Sequence, residues 1–287
     1  MNYRHAFHAG NFADVFKHAL LARILVYMTR KDAPLRFIDT HAGVGRYDLT
    51  GDEARRAGEW RYGVARLKDA NPPPAIAALL APYLTAVGPL DAQGRTKAYP
   101  GSPAIAQDLL RAQDRIALCE LHPEDRAALV VAMGRDARLS IVEIDGYVAL
   151  NAYLPPKEKR GLVLIDPPYE APNESKRVTE VLARVLAKWP AGVYALWRPI
   201  KDRREDARFL NAIAAIGAPN ILTLELDVGH IAPTANSPAP LTRCGLLVVN
   251  PPHVLIDEAR ALLPWLTTLL AREGHGASSC AWLTPPV

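Results

Sequence analysis

Leu35-Arg36-Phe37-Ile38-Asp39-Thr40 runs without interruption into His41-Ala42-Gly43-Val44-Gly45. A short apolar segment that delivers a glycine-bearing loop is the opening of a nucleotide-binding α/β unit, in which backbone approaches a ligand where a Cβ would intrude. Upstream, Asn11 is placed to cap a helix, and Phe12, Val15, Phe16, Ala19, Leu20, Ile24 and Tyr27 recur at three- and four-residue steps, predicting an amphipathic helix over roughly 12–30. Downstream, the unit does not continue at the usual distance. Residues 49–98 hold a charged helical stretch (53–67), Pro72-Pro73-Pro74, a second helix (75–87) and a polar turn, which predicts an inserted helical subdomain. The alternation resumes at Ser102-Pro103, with Ser as N-cap and Pro at N1 of a helix to about 111.

Strands are expected at 115–119, 140–144, 161–165 and 193–197, with helices at 123–134, 174–188 and 204–215. Two last strands, 221–228 and 245–249, flank residues 229–244, which are rich in Pro, Asn, Ser and Thr and read as the loop of an antiparallel hairpin. The pattern predicts an α/β fold: a mostly parallel seven-stranded sheet with an antiparallel C-terminal hairpin. Residues 1–48 and 99–287 form the main domain, and 49–98 the insertion.

With 287 residues, 49% of them apolar and 22% charged, the chain can bury a core without staples. That excludes a disordered chain, a collagen-like repeat and a small disulfide scaffold, and no run of 18 apolar residues exists to span a bilayer. Cys119, Cys244 and Cys280 are far apart with no CxxC, which fits a reducing compartment and argues against structural zinc. Met1 leads into polar Asn2-Tyr3-Arg4-His5 rather than an apolar signal segment, so the expected location is cytoplasmic. Of the net charge of +4, all resides in residues 1–36, where six Lys/Arg face two acids. This end is either a surface for a polyanion or a solvated basic helix face.

In a doubly wound sheet ligands sit beyond the carboxyl ends of the strands. Here those ends carry Asp39 and His41, then Glu120, then Asp145-Gly146, then Asp166. A carboxylate after the second strand can accept from both hydroxyls of a ribose, and one after the third from an adenine amine. His41, inside the glycine loop, can hydrogen-bond the amino-acid part of a cofactor, and Gly43 lets backbone approach it. Gly43 and Glu120 are 77 residues apart and the loop has no third glycine, which disfavours nicotinamide dinucleotides and leaves S-adenosylmethionine (SAM) compatible.

Gly161-Leu-Val-Leu-Ile-Asp166-Pro167-Pro168-Tyr169 delivers Asp-Pro-Pro-Tyr from the end of a buried strand. Two prolines cannot extend the ladder and fix a rigid, extended turn. The Asp166 carboxylate and the Pro167 carbonyl can then accept from one planar amine, and the Tyr169 ring offers a face to the base that carries it. Such parts suit N-methylation of adenine, with Asp166 taking the released proton. Asn250-Pro251-Pro252-His253 could present similar acceptors, but it ends the last strand after the sheet has turned antiparallel and reads as a strand terminator.

Together these residues resemble the RlmJ family, bacterial 23S rRNA (adenine(2030)-N6)-methyltransferases. The likeness spans nearly the whole chain: Tyr-Arg-His-x-Phe-His-Ala-Gly-Asn at 3–11, Ala-Asp-Val-x-Lys-His at 13–18, Asp-Thr-His-Ala-Gly at 39–43, Tyr-Pro-Gly-Ser-Pro at 99–103, Glu-Leu-His-Pro at 120–123, Ile-Asp-Pro-Pro-Tyr-Glu at 165–170 and Tyr-Ala-Leu-Trp at 194–197. The resemblance implies a Rossmann-like class I SAM-dependent methyltransferase with an inserted helical subdomain. It implies cofactor contacts at His18, His41, Ser102, Glu120, Asp145, Gly146 and Asp166, Asp166 as catalytic proton acceptor, and Tyr3 touching RNA, with Arg4 beside it. It also implies a monomer acting on free or partly assembled 23S rRNA. Departures are mild: His253 stands where the family has Trp, and the 229–244 loop differs.

Without that likeness His18, with Asp14 one turn earlier, would read as a surface or capping histidine, and Ser102 as a helix cap. His5 and His8 lack a third ligand at a sensible spacing, so no metal is expected. Neither a membrane nor a metal is an expected partner. Two other functions fit the residues: a DNA adenine-N6 methyltransferase, since Asp-Pro-Pro-Tyr serves either nucleic acid, and a non-catalytic RNA-binding module on a nucleotide fold.

Overall fold

The computed structural model describes residues 4–229 and 240–286. At its centre is a sheet built from β1 (Arg36–Asp39), β4 (Arg115–Cys119), β5 (Leu139–Val142), β6 (Gly161–Ile165), β7 (Val193–Pro199), β8 (Ile221–Asp227), β9 (Arg243–Val249) and β10 (Ala277–Thr284). The short β2 (Arg46–Tyr47) and β3 (Tyr99–Pro100) form a separate antiparallel pair. The main sheet has the order β10-β8-β9-β7-β6-β1-β4-β5. From β5 to β7 the pairs are parallel; β9 lies antiparallel between β7 and β8, and β10 runs antiparallel along the outer side of β8. The sheet therefore has eight strands, not seven. Leaving β10 aside, the order with β9 inserted between β7 and β8 is that of a Rossmann-like class I methyltransferase.

Side-chain alternation explains why helices cover both faces. Phe37, Leu118, Leu162 and Leu164 point into one buried cluster with α1 (Phe12–Met28), α3 (Pro74–Val87), α4 (Ser102–Leu109) and α9 (Leu255–Leu270). Their neighbours Ile38, Ala117, Val163 and Ile165 point into a second cluster with α6 (Gly146–Tyr153), α7 (Glu174–Lys188) and α8 (Arg203–Ala214). The remaining helices are α2 (Asp52–Ala57) and α5 (Pro123–Met133). The stretch expected as one helix at 53–67 is α2 followed by two 3-10 turns, because Gly58 adopts positive φ and ends α2. Apolar residues of the stretch 49–98, among them Trp60, Val64, Leu80 and Tyr83, are buried in the first cluster with α1.

The N-terminal helix is not amphipathic in place. Asn11 caps it, accepting from the Asp14 N–H, but of α1 only Val26 and Tyr27 keep appreciable exposure. Its polar residues are buried with partners from distant sequence. Arg23 makes a two-pronged pair with Glu258 on α9, and Lys17 reaches Asp166. Arg4 pairs with Glu124 and Arg36 with Glu158, so the basic run at 1–36 is not a bare cationic surface. Among the described residues no helix is long and apolar enough to cross a membrane.

Candidate active site

Parallel strands β1, β4, β5 and β6 end side by side, and their carboxyl ends open on a cavity of about 430 Å³. That size suits a small-molecule cofactor. Its wall includes His18, His41, Gly43, Ser102, Glu120, Asp145, Gly146 and Asp166, so all eight residues expected to meet a cofactor converge there. Of the expected substrate contacts, Pro167 and Tyr169 lie outside the wall, whereas Pro168 and Glu170 belong to it. The Tyr169 hydroxyl donates to the Trp197 carbonyl at 2.9 Å and its ring meets the Trp197 ring edge-on, fixing the turn against β7. Arg4 is exposed and bound to Glu124; Tyr3 and loop positions 230–239 lie outside the described residues.

Two glycines shape the wall. Gly43 has φ +60°, and a Cβ there would stand 2.4 Å from the Tyr47 hydroxyl. At Gly146 a Cβ would meet the Thr40 carbonyl at 2.1 Å, so this glycine lets the start of α6 close on the loop after β1.

Glu120 receives the Gly43 N–H on one carboxylate oxygen (2.8 Å) and the His122 N–H on the other (2.9 Å). Each oxygen has lone-pair capacity left, the pattern a vicinal diol needs. Burial pushes the Glu120 carboxyl above its ordinary value, against those two hydrogen bonds. Asp145 caps α6 through one oxygen, accepting from Tyr147 and Val148 N–H, and binds Arg177 with the other at 2.6 Å. Burial opposes its charge, but Arg177 prevails and lowers the pKa. Arg177 in turn covers the Tyr147 ring, and the Tyr147 hydroxyl donates to Glu174.

His41 is half-buried in the cavity wall, and the loss of solvent around it drives its pKa down to about 4 and leaves the ring neutral at physiological pH. Since the Thr40 hydroxyl donates to the Leu164 carbonyl, His41 Nδ1 donates to the Thr40 oxygen at 2.8 Å. Nε2 is thereby the acceptor. Burial likewise lowers His18 to about 3; its Nδ1 sits 3.2 Å from the Tyr99 hydroxyl, so it is an interior residue and not a surface cap. Ser102 does not cap α4 either. Gly101 holds the cap position, and the Ser102 hydroxyl donates to Asp39 at 2.7 Å. Asp39 is fully buried, and burial raises its carboxyl to about 7 in spite of Ser102 and the His41 N–H.

Asp166 is held from an unexpected side. Lys17 on α1 places its ammonium 2.5 Å from Asp166 Oδ2 and 3.2 Å from Asp14, while among the described residues Asp166 Oδ1 makes no hydrogen bond. Asp14 also meets His5 at 3.0 Å and accepts the Gly10 N–H. Burial would raise the Asp14 pKa, but His5, Lys17 and His18 hold it well below the usual carboxylate range. Lys17 was counted from sequence only as part of a basic run. A signal existed: Asp14, Lys17 and His18 are three ionisable residues on one face of an otherwise apolar helix.

His5 and His8 turn to separate carboxylates, Asp14 and Glu59, and among the described residues no cluster of three or more His, Cys, Asp or Glu is arranged to hold a metal. The Asn250 amide donates to the carbonyls of Pro190 and Gly192, which precede β7. Because β9 runs antiparallel, Asn-Pro-Pro ends at the edge opposite the cavity.

A family model described as RsmJ, ribosomal RNA large subunit methyltransferase D, RlmJ, matches residues 32–284. The chain belongs to this family. Two relatives carry the name Ribosomal RNA large subunit methyltransferase J: one from Escherichia coli K12, 39% identical, and one from Haemophilus influenzae Rd, 38% identical, each aligned over 99% of both chains. The crystal structure of a Legionella pneumophila protein superposes with a TM-score of 0.84 at 35% identity, covering 96% of this chain and 98% of that one. Membership of the RlmJ family and the class I fold imply a SAM-type methyl donor.

Proposed function

We propose that this chain transfers a methyl group from S-adenosyl-L-methionine to the exocyclic N6 of one adenine in 23S rRNA. As an RlmJ family member it is an rRNA large-subunit methyltransferase. The observation that carries the chemistry is Asp166: one oxygen is tied to Lys17, the other has no hydrogen-bond partner among the described residues, and both stand beside the wall built by Glu120 and Asp145. When bound, the cofactor supplies an electrophilic sulfonium methyl.

Glu120 accepts from the two ribose hydroxyls, Asp145 and Gly146 bound the adenine end, and His41 and Gly43 meet the amino-acid end. His18 and Ser102 complete the wall. Asp166 Oδ1 and the Pro167 carbonyl accept from the substrate amine, which aims its nitrogen lone pair at the methyl group. As the N–C bond forms and the methyl–sulfur bond breaks, its electron pair staying on sulfur, one amine proton passes to Asp166, leaving N6-methyladenine. Lys17 fixes the carboxylate's orientation through Oδ2. Tyr3, Arg4 and the rigid Pro167-Pro168-Tyr169 turn form the substrate side, and residues 49–98 form the inserted subdomain. The acting form in this reading is a cytoplasmic monomer on protein-free or partly assembled rRNA.

The test is transfer of labelled methyl from S-adenosylmethionine to protein-free 23S rRNA, with nucleoside analysis of the product. Wild type should yield N6-methyladenosine and Asp166→Ala none, while keeping its melting temperature within a few degrees. Glu120→Ala should weaken cofactor binding by roughly 1–3 kcal/mol, the value of a charge-assisted hydrogen-bond pair. Label entering duplex DNA and not RNA, or a near wild-type rate from Asp166→Ala, would overturn the reading.

A further inference from the structure

RNA brings a dense negative charge to this end of the sheet, and the cations nearest the cavity are already engaged. Lys17 is paired with Asp166, Arg4 with Glu124, Arg126 with Glu143 and Arg177 with Asp145. We propose that the start of α8, with Lys201, Arg203, Arg204 and Arg208, is a docking strip for the sugar-phosphate backbone of the substrate RNA. This rests on the RNA-methylating function proposed above.

Its position follows from the sheet. β6 and β7 are parallel neighbours with Ile165 opposite Leu196, and Tyr169 is bonded to the Trp197 carbonyl. Lys201 follows Trp197 by four residues, which places it within roughly 14 Å of chain of the turn that carries Asp166. The strip thus borders the cavity on its β7 side. On the other side, the ends of β4 and β5 carry Glu120, Glu124, Asp125, Glu143 and Asp145. The charge changes sign across the mouth, and a polyanion is steered to the side where Asp166 stands.

All four cations are exposed, and among the described residues none of their side chains makes a hydrogen bond or ion pair. The neighbouring acids offset them only in part, Asp202 sharing its charge between Arg204 and Arg208. Asp202 caps α8 by accepting from the Arg204 and Glu205 N–H groups, Asp206 is bound to buried Arg198, and Glu205 stands exposed like Asp202. Folding does not favour this arrangement: Arg203 and Arg204 oppose the dipole at the first turn of α8, and Arg204 and Arg208 repel at i,i+4. Arg204 and Arg208 also share one helix face by spacing, with Lys201 just ahead of the Asp202 cap, while Phe209 and Ile213 are buried. A local penalty that the folded chain relieves only in part is expected where the partner comes from outside.

The experiment compares wild type with K201Q/R204Q/R208Q and with a control, K31Q/K157Q/K159Q, whose residues precede β1 and β6 at the opposite edge. RNA-fragment binding is followed by fluorescence anisotropy over a salt series, and methylation gives KM and kcat. The strip variant should raise the RNA KM about tenfold or more, with most of the loss in KM. Its log K against log salt should be shallower by roughly two, as loss of three phosphate contacts requires. The control should stay within twofold, and R204K/R208K should retain near wild-type binding. Melting temperature and cofactor affinity verify that the strip variant is folded. Wild-type KM and salt slope in the folded variant, or an equal loss in the control, would overturn the strip while the methylation of RNA by wild type still stood. A wild-type protein that neither binds nor methylates RNA would overturn the function and the strip together.

Discussion

Asp39 is the residue whose environment departs furthest from what its position suggests. It ends β1, yet it is fully buried and turned to Ser102 and the His41 N–H, with its pKa raised by burial from 3.8 to about 7. The folded state therefore holds this proton more tightly than the unfolded one. Its contribution to stability is complete below 3.8 and is lost as pH rises to about 7. Within that window it should lower the unfolding free energy by up to about 1.4 kcal/mol per pH unit. Asp39→Asn, which keeps an acceptor for one donor and lets the Ser102 hydroxyl turn, should flatten that slope. Urea unfolding at several pH values checks it; an unchanged slope would assign the pH dependence to other groups. The strand-end acids Glu120, Asp145 and Asp166 were legible as a set because each directly follows an apolar run. Lys17 was not, because its partner Asp166 lies 149 residues away.

At the scale of elements, parallel strands and their helices follow from apolar runs and caps, whereas α9 and β10 were not among those expected. Pro264 sits inside α9, where proline normally breaks a helix, yet Leu255, Ala259, Leu262, Leu263, Leu266 and Leu270 form a buried stripe that carries the helix through. β10 reads Ala-Ser-Ser-Cys-Ala-Trp-Leu-Thr, small and polar for a strand, and only its pairing along β8 and the packing of Cys280 and Trp282 define it. Removal of residues 277–287 should bare the edge of β8. The expected result is a loss of roughly 1.5–3 kcal/mol from the apolar contacts of Trp282 and Cys280, together with concentration-dependent self-association. Chemical denaturation and light scattering measure the two effects; a truncated chain as stable and monodisperse as the full one would make β10 dispensable.

Across the whole molecule, the cavity wall draws on β1, β4, β5 and β6, the start of α6, and α1 and α4. A ligand there bridges elements that separate on unfolding. S-adenosylmethionine at a hundred times its dissociation constant should stabilise the fold by ~2.7 kcal/mol, read as a concentration-dependent rise of several degrees in melting temperature. Glu120→Ala should shift that titration to higher concentration. No rise with wild type would remove the cofactor from this cavity.

By itself the sequence determined the α/β class, the strand ends and the rigid Asp166-Pro167-Pro168-Tyr169 turn, because these depend on local periodicity, proline geometry and residue type. Only the tertiary structure decided that α1 is buried on nearly all sides, that Lys17 orients Asp166, that Ser102 serves Asp39 rather than a helix end, and that an eighth strand closes the sheet. Those facts rest on contacts between residues far apart in the chain. Likewise four of the six cations at 1–36 are taken up by Glu124, Glu158, Asp166 and Glu258, while among the described residues cations whose side chains make no ion pair came to lie at the start of α8. Charge in a sequence is a local count, and where it faces solvent is decided by which distant acids the fold brings to it.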